Sequence, residues 1–370
     1  MSAPPAPRHI VMTADTIGGV WTFALEMCAR VCARGTKVTL VTFGRMPDAQ
    51  QRASAQAIQN LSFIPTAYRL EWMENCGADV AASASFLLNV ARDVAADLIH
   101  ANTYYHATLA WNVPVLLTAH SCVSSWWRAC RANALPRQWK WYEDWIASAV
   151  QNSDLLVAPS QSFLDDFRAL HGQARESRVI FNGRSIPVQL AIHKDSVVLA
   201  AGRLWDEAKN IGVLARAVKG TDIRVLLAGD PVSPEGCGGN FDELELLGPL
   251  SPQELMREMQ RAAVFAAPAR YEPFGLSILE AARAGCALVL ADIPTLRELW
   301  DGAARFVHPD DTQGWRNALS TLVADPVLAE ARGYAARERS LRYSAERMAN
   351  AYWEAYGRLV GHRPVEGVAA

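Results

Sequence analysis

Residues 9–41 read HIVMTADTIGGVWTFALEMCARVCARGTKVTLV. A short apolar strand, His9 to Ala14, gives way to the loop Asp15-Thr16-Ile17-Gly18-Gly19 and then to Val20, Ala24, Met27, Cys28 and Val31 at helical spacing. Gly35 stands where a helix C-cap belongs, and Lys37-Val38-Thr39-Leu40-Val41 follows as a second strand. This is a βαβ unit, and it predicts a parallel sheet.

The same alternation runs on through Asp97 to His100, Pro114 to Thr118, Leu155 to Ala158 and Val179-Ile180, each short and apolar on both faces, as strands buried on both sides are. Helical stretches such as Trp139 to Val150 and Ser162 to Leu170 separate most of them. The pattern breaks at the turn-rich segment Asn182-Gly183-Arg184-Ser185-Ile186-Pro187. It then restarts with Ser196 to Ala201, Arg224 to Ala228, Val264 to Ala267, Ala287 to Ala291 and Arg305 to Val307. The expected fold class is α/β, with two Rossmann-like doubly wound domains, 1–185 and 186–344, facing a central cleft at their strands' carboxyl ends. Ser344 to Val360 reads as a long amphipathic helix with either domain open to it.

Size and composition agree with two globular domains: 370 residues, 51% hydrophobic and 20% charged. A formal net charge of -2 excludes a global preference for nucleic acid or anionic lipid. No apolar run approaches the roughly 20 residues needed to span a bilayer, and prolines occupy the place of a signal-peptide core, so a cytoplasmic chain is expected. The seven cysteines form no CxxC pair, and Cys28 and Cys32 share an apolar helical face, so neither zinc nor disulfide is expected.

The residues that carry chemistry fall at strand ends. Gly18 and Gly19, between a strand and a helix, bring backbone N–H groups to the positive end of a helix dipole, although a tight turn looks the same. The GxGxxG dinucleotide fingerprint is absent here and at AGRLW (201–205), which argues against a nicotinamide enzyme. His120 follows an apolar strand and points to a ligand hydroxyl, against a structural histidine; His100 reads as structural. Arg203 and Lys209, flanking the start of a helix, suit a diphosphate.

Residues 271–280 read YEPFGLSILE. Pro273 keeps Glu272 out of the following helix. The free N–H groups of Phe274, Gly275 and Leu276 form a second anion cradle, with Gly275 permitting close approach. Glu280, one turn into the helix, leans back toward the same ligand. Two acids that grip hydroxyls beside cations and amides that hold charge describe a nucleotide sugar.

EPFGLSILEA, the downstream AGCALVLADIPTLREL, Gly18-Gly19, His120, AGRLW with Arg203, Lys209, LLAGD (226–230) and LGPLSPQEL (247–255) together resemble the retaining glycosyltransferases of family 4, which have the GT-B fold. The resemblance implies an acceptor in the N-terminal domain and a donor in the C-terminal one, with the last helix, about 345–370, crossing back to the first. By the same resemblance Glu280 holds the ribose, Arg203 and Lys209 the diphosphate, and Glu272 with Phe274 to Leu276 meets the transferred sugar and its phosphate. His120 faces the sugar from the other wall, and the loop from Gly248 through Leu250 to Ser251 lies near the base.

A retaining transfer to an acceptor hydroxyl is implied, with no cofactor and, given the absence of an Asp-x-Asp motif, no metal. The implied partners are a nucleotide diphosphate sugar and a small-molecule, glycan or lipid-linked acceptor, without nucleic acid. A GT-B nucleotide-sugar epimerase and a noncatalytic sugar-nucleotide-binding subunit are the alternatives. Trp126 and Trp127 are acceptor-stacking candidates. A peripheral membrane patch of Trp139 and Trp141 with Arg131, Arg137 and Lys140 is not favoured. Two departures stand out: the Arg203–Lys209 spacing is one residue longer than usual, with Asn210 in place of Gly, and Asp292-Ile293-Pro294-Thr295 lacks a Gly pair.

Overall fold

The computed structural model describes residues 6–73, 75–131, 133–186, 193–232, 238 and 241–361. Pro187, Cys237 and the end of the expected C-terminal segment, 362–370, lie outside the described residues. The first sheet is built from β1 (His9–Asp15), β2 (Lys37–Phe43), β3 (Leu61–Pro65), β4 (Leu98–Ala101), β5 (Val115–Thr118), β6 (Leu155–Ala158) and β7 (Ser177–Val179). All pairs are parallel, in the order β3-β2-β1-β4-β5-β6-β7. The second is built from β8 (Asp195–Ala201), β9 (Val225–Ala228), β10 (Glu245–Gly248), β11 (Ala262–Ala267), β12 (Ala287–Ala291) and β13 (Ala304–Val307). Its order is β10-β9-β8-β11-β12-β13, again parallel.

The order reverses beside the first strand of each sheet, which opens a crevice at the carboxyl ends of β1 and β4 and of β8 and β11. Two edge strands, β3 and β10, went unread in the sequence. Their burial is partial at most, so neither carries the doubly apolar run that marks a central strand. The third edge strand, β7, ends at Val179 rather than starting there.

The chain crosses between the sheets near Arg184 and back near Ser344, and those two residues form a parallel bridge. The last helix, Ala345–Gly361, then buries Met348, Tyr352 and Tyr356 in the core of the first sheet. A polar seam runs through that contact. His100 lies 2.7 Å from the Tyr356 hydroxyl and 2.8 Å from Thr118 Oγ1, which meets the Tyr352 hydroxyl at 3.1 Å. His100 is structural, and burial pushes its pKa down to about 3. Among the described residues no helix is long and apolar enough to cross a membrane. Trp139 and Trp141 stack on each other and edge-on to Tyr142, while Trp145 packs on Trp141 and Tyr105.

Candidate active site

Two helix N-termini meet across the crevice. The helix Gly19–Cys32 follows β1 and has no side-chain cap and no acid in its first turn, so its amides and dipole are free for an anion. The helix Leu276–Arg283 is equally uncapped, and its N-cap Gly275 has φ 86° and ψ 72°. A side chain there would be strained by the left-handed backbone and would meet Ile278 Cδ1 at 2.7 Å, so glycine is required. A Cβ placed on Gly19 would lie 3.5 Å from Leu276 Cδ1, and one on Gly18 3.9 Å from Arg203 Nη1. The two glycines, Arg203 and the Leu276 helix therefore border one space.

Lys209 and Glu272 close it. Lys209 Nζ lies 2.6 Å from Glu272 Oε2, with both side chains at most one-fifth exposed. The lysine stem runs alongside Gly202, whose Cβ would meet Lys209 Cε at 3.3 Å. Asn210 adopts a left-handed conformation, φ 51° and ψ 33°. It is one of the few non-glycine residues that tolerates this region, and its amide also donates to the carbonyls of Pro268 (3.0 Å) and Pro309 (2.9 Å). Asn210 thus performs the turn that the usual glycine would, and Lys209 still reaches the site. The segment without a Gly pair contributes Thr295, which donates to the Glu272 carbonyl at 2.7 Å, while Leu296 is buried in the core.

Arg203 is paired with Asp206 at 2.8 Å and remains 43% exposed, so its guanidinium keeps donors for a ligand. Glu280 is engaged differently from the sequence expectation: its Oε1 takes Arg184 at 2.9 Å, and Arg184 also reaches Glu26 at 3.3 Å. Burial pushes the Glu280 pKa up, against the pull of Arg184. Gly248 ends β10 with its carbonyl on Gly229 N (2.8 Å), and Leu250 packs on the core beside it. Gln253, just beyond, accepts from Gln50 of the first domain at 2.9 Å.

His120 stands on the opposite wall, edge-on to Phe23 with centroids 4.7 Å apart. Burial pushes its pKa down to about 3, so the ring is neutral at physiological pH. The amide hydrogens of Asn102 go to the Thr13 carbonyl at 2.7 Å, which turns Asn102 Oδ1 toward His120 Nε2, 2.7 Å away. Nε2 therefore carries the proton, and Nδ1 keeps its lone pair. Asp15, at the end of β1, accepts from Ile17 N at 2.9 Å; burial raises its pKa to about 6 against the opposing charge of Arg203.

Trp126 and Trp127 are occupied by the protein itself. Trp126 donates its indole N–H to Asp206 at 2.9 Å and Trp127 to the Asn133 carbonyl at 3.0 Å. The Arg131 guanidinium lies 5.8 and 5.5 Å from their ring centroids, so an acceptor that stacked there would have to displace it. Arg184, Asp206, Tyr271 and Asn102 were not singled out from sequence. The signal for Asn102 was the one that marked His120, a polar residue just beyond a buried strand. Tyr271 and Asp206 sat unread beside Glu272 and Arg203. Among the described residues no three His, Cys, Asp or Glu side chains converge as a metal site.

A family model for Glycosyltransferase Family 4 matches residues 17–186, and one for Glycosyl transferases group 1 matches residues 195–325. The chain belongs to glycosyltransferase family 4. The chain is 29% identical over 277 residues to glycogen synthase of Mycobacterium tuberculosis, an alignment covering 66% of this chain and 64% of the relative. The chain thus aligns with less than two thirds of that relative's length. Sucrose-phosphate synthase from Thermosynechococcus elongatus has the same fold, with a TM-score of 0.79 at 18% identity, covering 96% of this chain and 100% of that one. HepE of Anabaena, solved with UDP and glucose, superposes with a TM-score of 0.73 at 17% identity, covering 94% and 98%. The family 4 chain described here therefore has the two-domain GT-B architecture.

Proposed function

We propose that this protein transfers a sugar from a nucleoside diphosphate sugar to an acceptor hydroxyl with retention of configuration and without a metal. The observation that carries this reading is the closed circuit of two uncapped helix N-termini, Arg203 and Lys209 around one space bordered by Glu272. Four sources of positive potential suit a departing diphosphate, and the carboxylate beside them suits a sugar.

In this reading the bond from the sugar's anomeric carbon to the diphosphate breaks while the acceptor oxygen bonds the same carbon on the same face. The acceptor's proton passes to a leaving phosphate oxygen. Lys209, Arg203 and the amides of Gly18, Gly19 and Phe274 to Leu276 stabilise the charge that develops there. His120 Nδ1 accepts from a sugar hydroxyl, Glu280 Oε2 receives the ribose, and the Gly248–Leu250 turn borders the base. The acceptor enters against the first domain, on the side of Asp15. The complex of HepE with UDP and glucose makes UDP-glucose the first donor to test.

Purified protein is incubated with UDP-, ADP- and GDP-sugars and a panel of sugar and sugar-phosphate acceptors, with excess EDTA in parallel. An α-linked product from an α-linked donor, at a rate EDTA does not change, is the expected outcome; inversion, or loss of activity with EDTA, overturns it. Glu280→Gln, which keeps the shape but weakens the contact with the ribose, should raise the donor KM about tenfold and leave kcat within a few-fold, since that interaction is made equally in ground and transition states. A drop in kcat with unchanged KM would remove Glu280 from the ribose.

A further inference from the structure

We propose that the helix Val123–Cys130 couples closure of the two domains to the geometry of the donor site, with Ser125 and Trp126 as positioning residues acting through Tyr271 and Asp206. This inference rests on the assignment of Glu272 and Arg203 to the donor. The helix begins three residues after His120, its N-cap being Cys122.

Tyr271 belongs to the second domain by sequence, in the loop after β11, but its ring packs against the core of the first. The Tyr271 hydroxyl lies 2.7 Å from Ser125 Oγ and accepts from Cys122 N–H at 3.2 Å. The next residue is Glu272. Ser160 Oγ, also from the first domain, donates to the Pro273 carbonyl at 2.9 Å, while Thr295 of the second domain holds the Glu272 carbonyl. Glu272 is thus suspended between two residues anchored in the opposite domain.

The next residue of the helix grips the other arm. Asp206 is buried; its Oδ1 accepts from Trp126 Nε1 at 2.9 Å and from Ala208 N–H at 3.0 Å, and its Oδ2 takes Arg203 Nη2 at 2.8 Å. The guanidinium assigned to the diphosphate is therefore aimed by a carboxylate that a first-domain indole holds. Arg131, just past the helix, adds an ion pair with Glu207 at 2.8 Å.

Apart from the Tyr271 ring, which packs on the core of the first domain, these ties are hydrogen bonds and one ion pair at an interface, which water replaces at small net cost when the domains part. They can form and break in each catalytic cycle. In the open state the second domain still binds the donor, but Glu272 and Arg203 lose their aim. Closure restores both at once and brings His120 to the sugar in the same movement.

The test uses Tyr271→Phe and Trp126→Phe in the full chain. Each should lower kcat about tenfold, the scale of the one or two net hydrogen bonds it removes, with the donor KM changed by less than about threefold. Tyr271→Phe combined with Ser125→Ala should fall short of the product of the two single effects, because both remove the bond between Ser125 Oγ and the Tyr271 hydroxyl. Hydrogen exchange, read without any substrate, should accelerate at residues 203–209 in Trp126→Phe and at 271–276 in Tyr271→Phe, with β1 and β8 unchanged. Unaltered exchange at both segments, or a raised donor KM with kcat retained, overturns the proposal. A wild-type protein that turns over no donor while exchange responds as expected would sink the assigned function and leave the coupling standing.

Discussion

Glu272→Ala is expected to lower turnover by about 10²–10³-fold, the loss seen when one group that stabilises a developing transition state is removed. The donor KM should not rise with it. In the structure Lys209 Nζ is shared with Glu272 at 2.6 Å, so removing the carboxylate frees the ammonium for the diphosphate and favours ground-state binding. Falling kcat with steady or falling KM separates a role at the reacting sugar from a role in holding the donor, which would raise KM instead. Steady-state kinetics with a saturating acceptor decide it. A variant within threefold of wild-type kcat would remove Glu272 from the chemistry.

The second large effect is acid lability. Burial holds His100, His106 and His120 near a pKa of about 3 and His171 near about 4, against an ordinary value of 6.5. His106 is fixed by Thr103 at 2.8 Å and Ser83 at 2.9 Å, so it cannot easily turn to water. The unfolded chain binds protons below pH 6.5 that the folded chain refuses, so this stability is complete above pH 6.5 and falls as pH drops toward 3. At pH 5 the four rings together cost about 8 kcal/mol.

Buried carboxyl groups, Asp15, Glu71 and Glu280, work in the other direction. Burial raises Asp15 to about 6 and Glu71 to about 7, so the folded state takes up their protons first and gains stability as pH falls. Asp15 and Glu71 return about 4 kcal/mol by pH 5, so the imidazoles outweigh them and stability falls between pH 7.5 and pH 5. Urea unfolding at the two pH values measures it. A stability that is flat or rising over that interval would contradict the burial of the imidazoles.

How much of the site could be read in the chain depends on how local each cause is. Pro273 and Gly275 act on their own backbone, so the loop around Glu272 and the open helix after it were legible. The αL turn at Asn210 was half legible: the departure from glycine was visible, and its meaning came with φ 51° and the two carbonyls the side chain binds. Arg184 read as a linker residue because its role depends on Glu280, 96 residues away. Trp126 read as a free stacking surface because Asp206, its partner, lies 80 residues on and in the other domain.

The alternation of doubly apolar strands with helices, the crossing between two sheets, and the positions of the strand-end residues are properties of the sequence, since burial periodicity and backbone preference act over a few residues. The partner of each charge was decided only in three dimensions. Lys209 meets Glu272 across 63 residues, His120 takes its tautomer from Asn102, and Arg203 takes its aim from an indole of the facing domain. Hydrogen bonds are short-ranged and directional, so such pairings exist only once the two sheets have docked and brought the ends of β1, β4, β8 and β11 together.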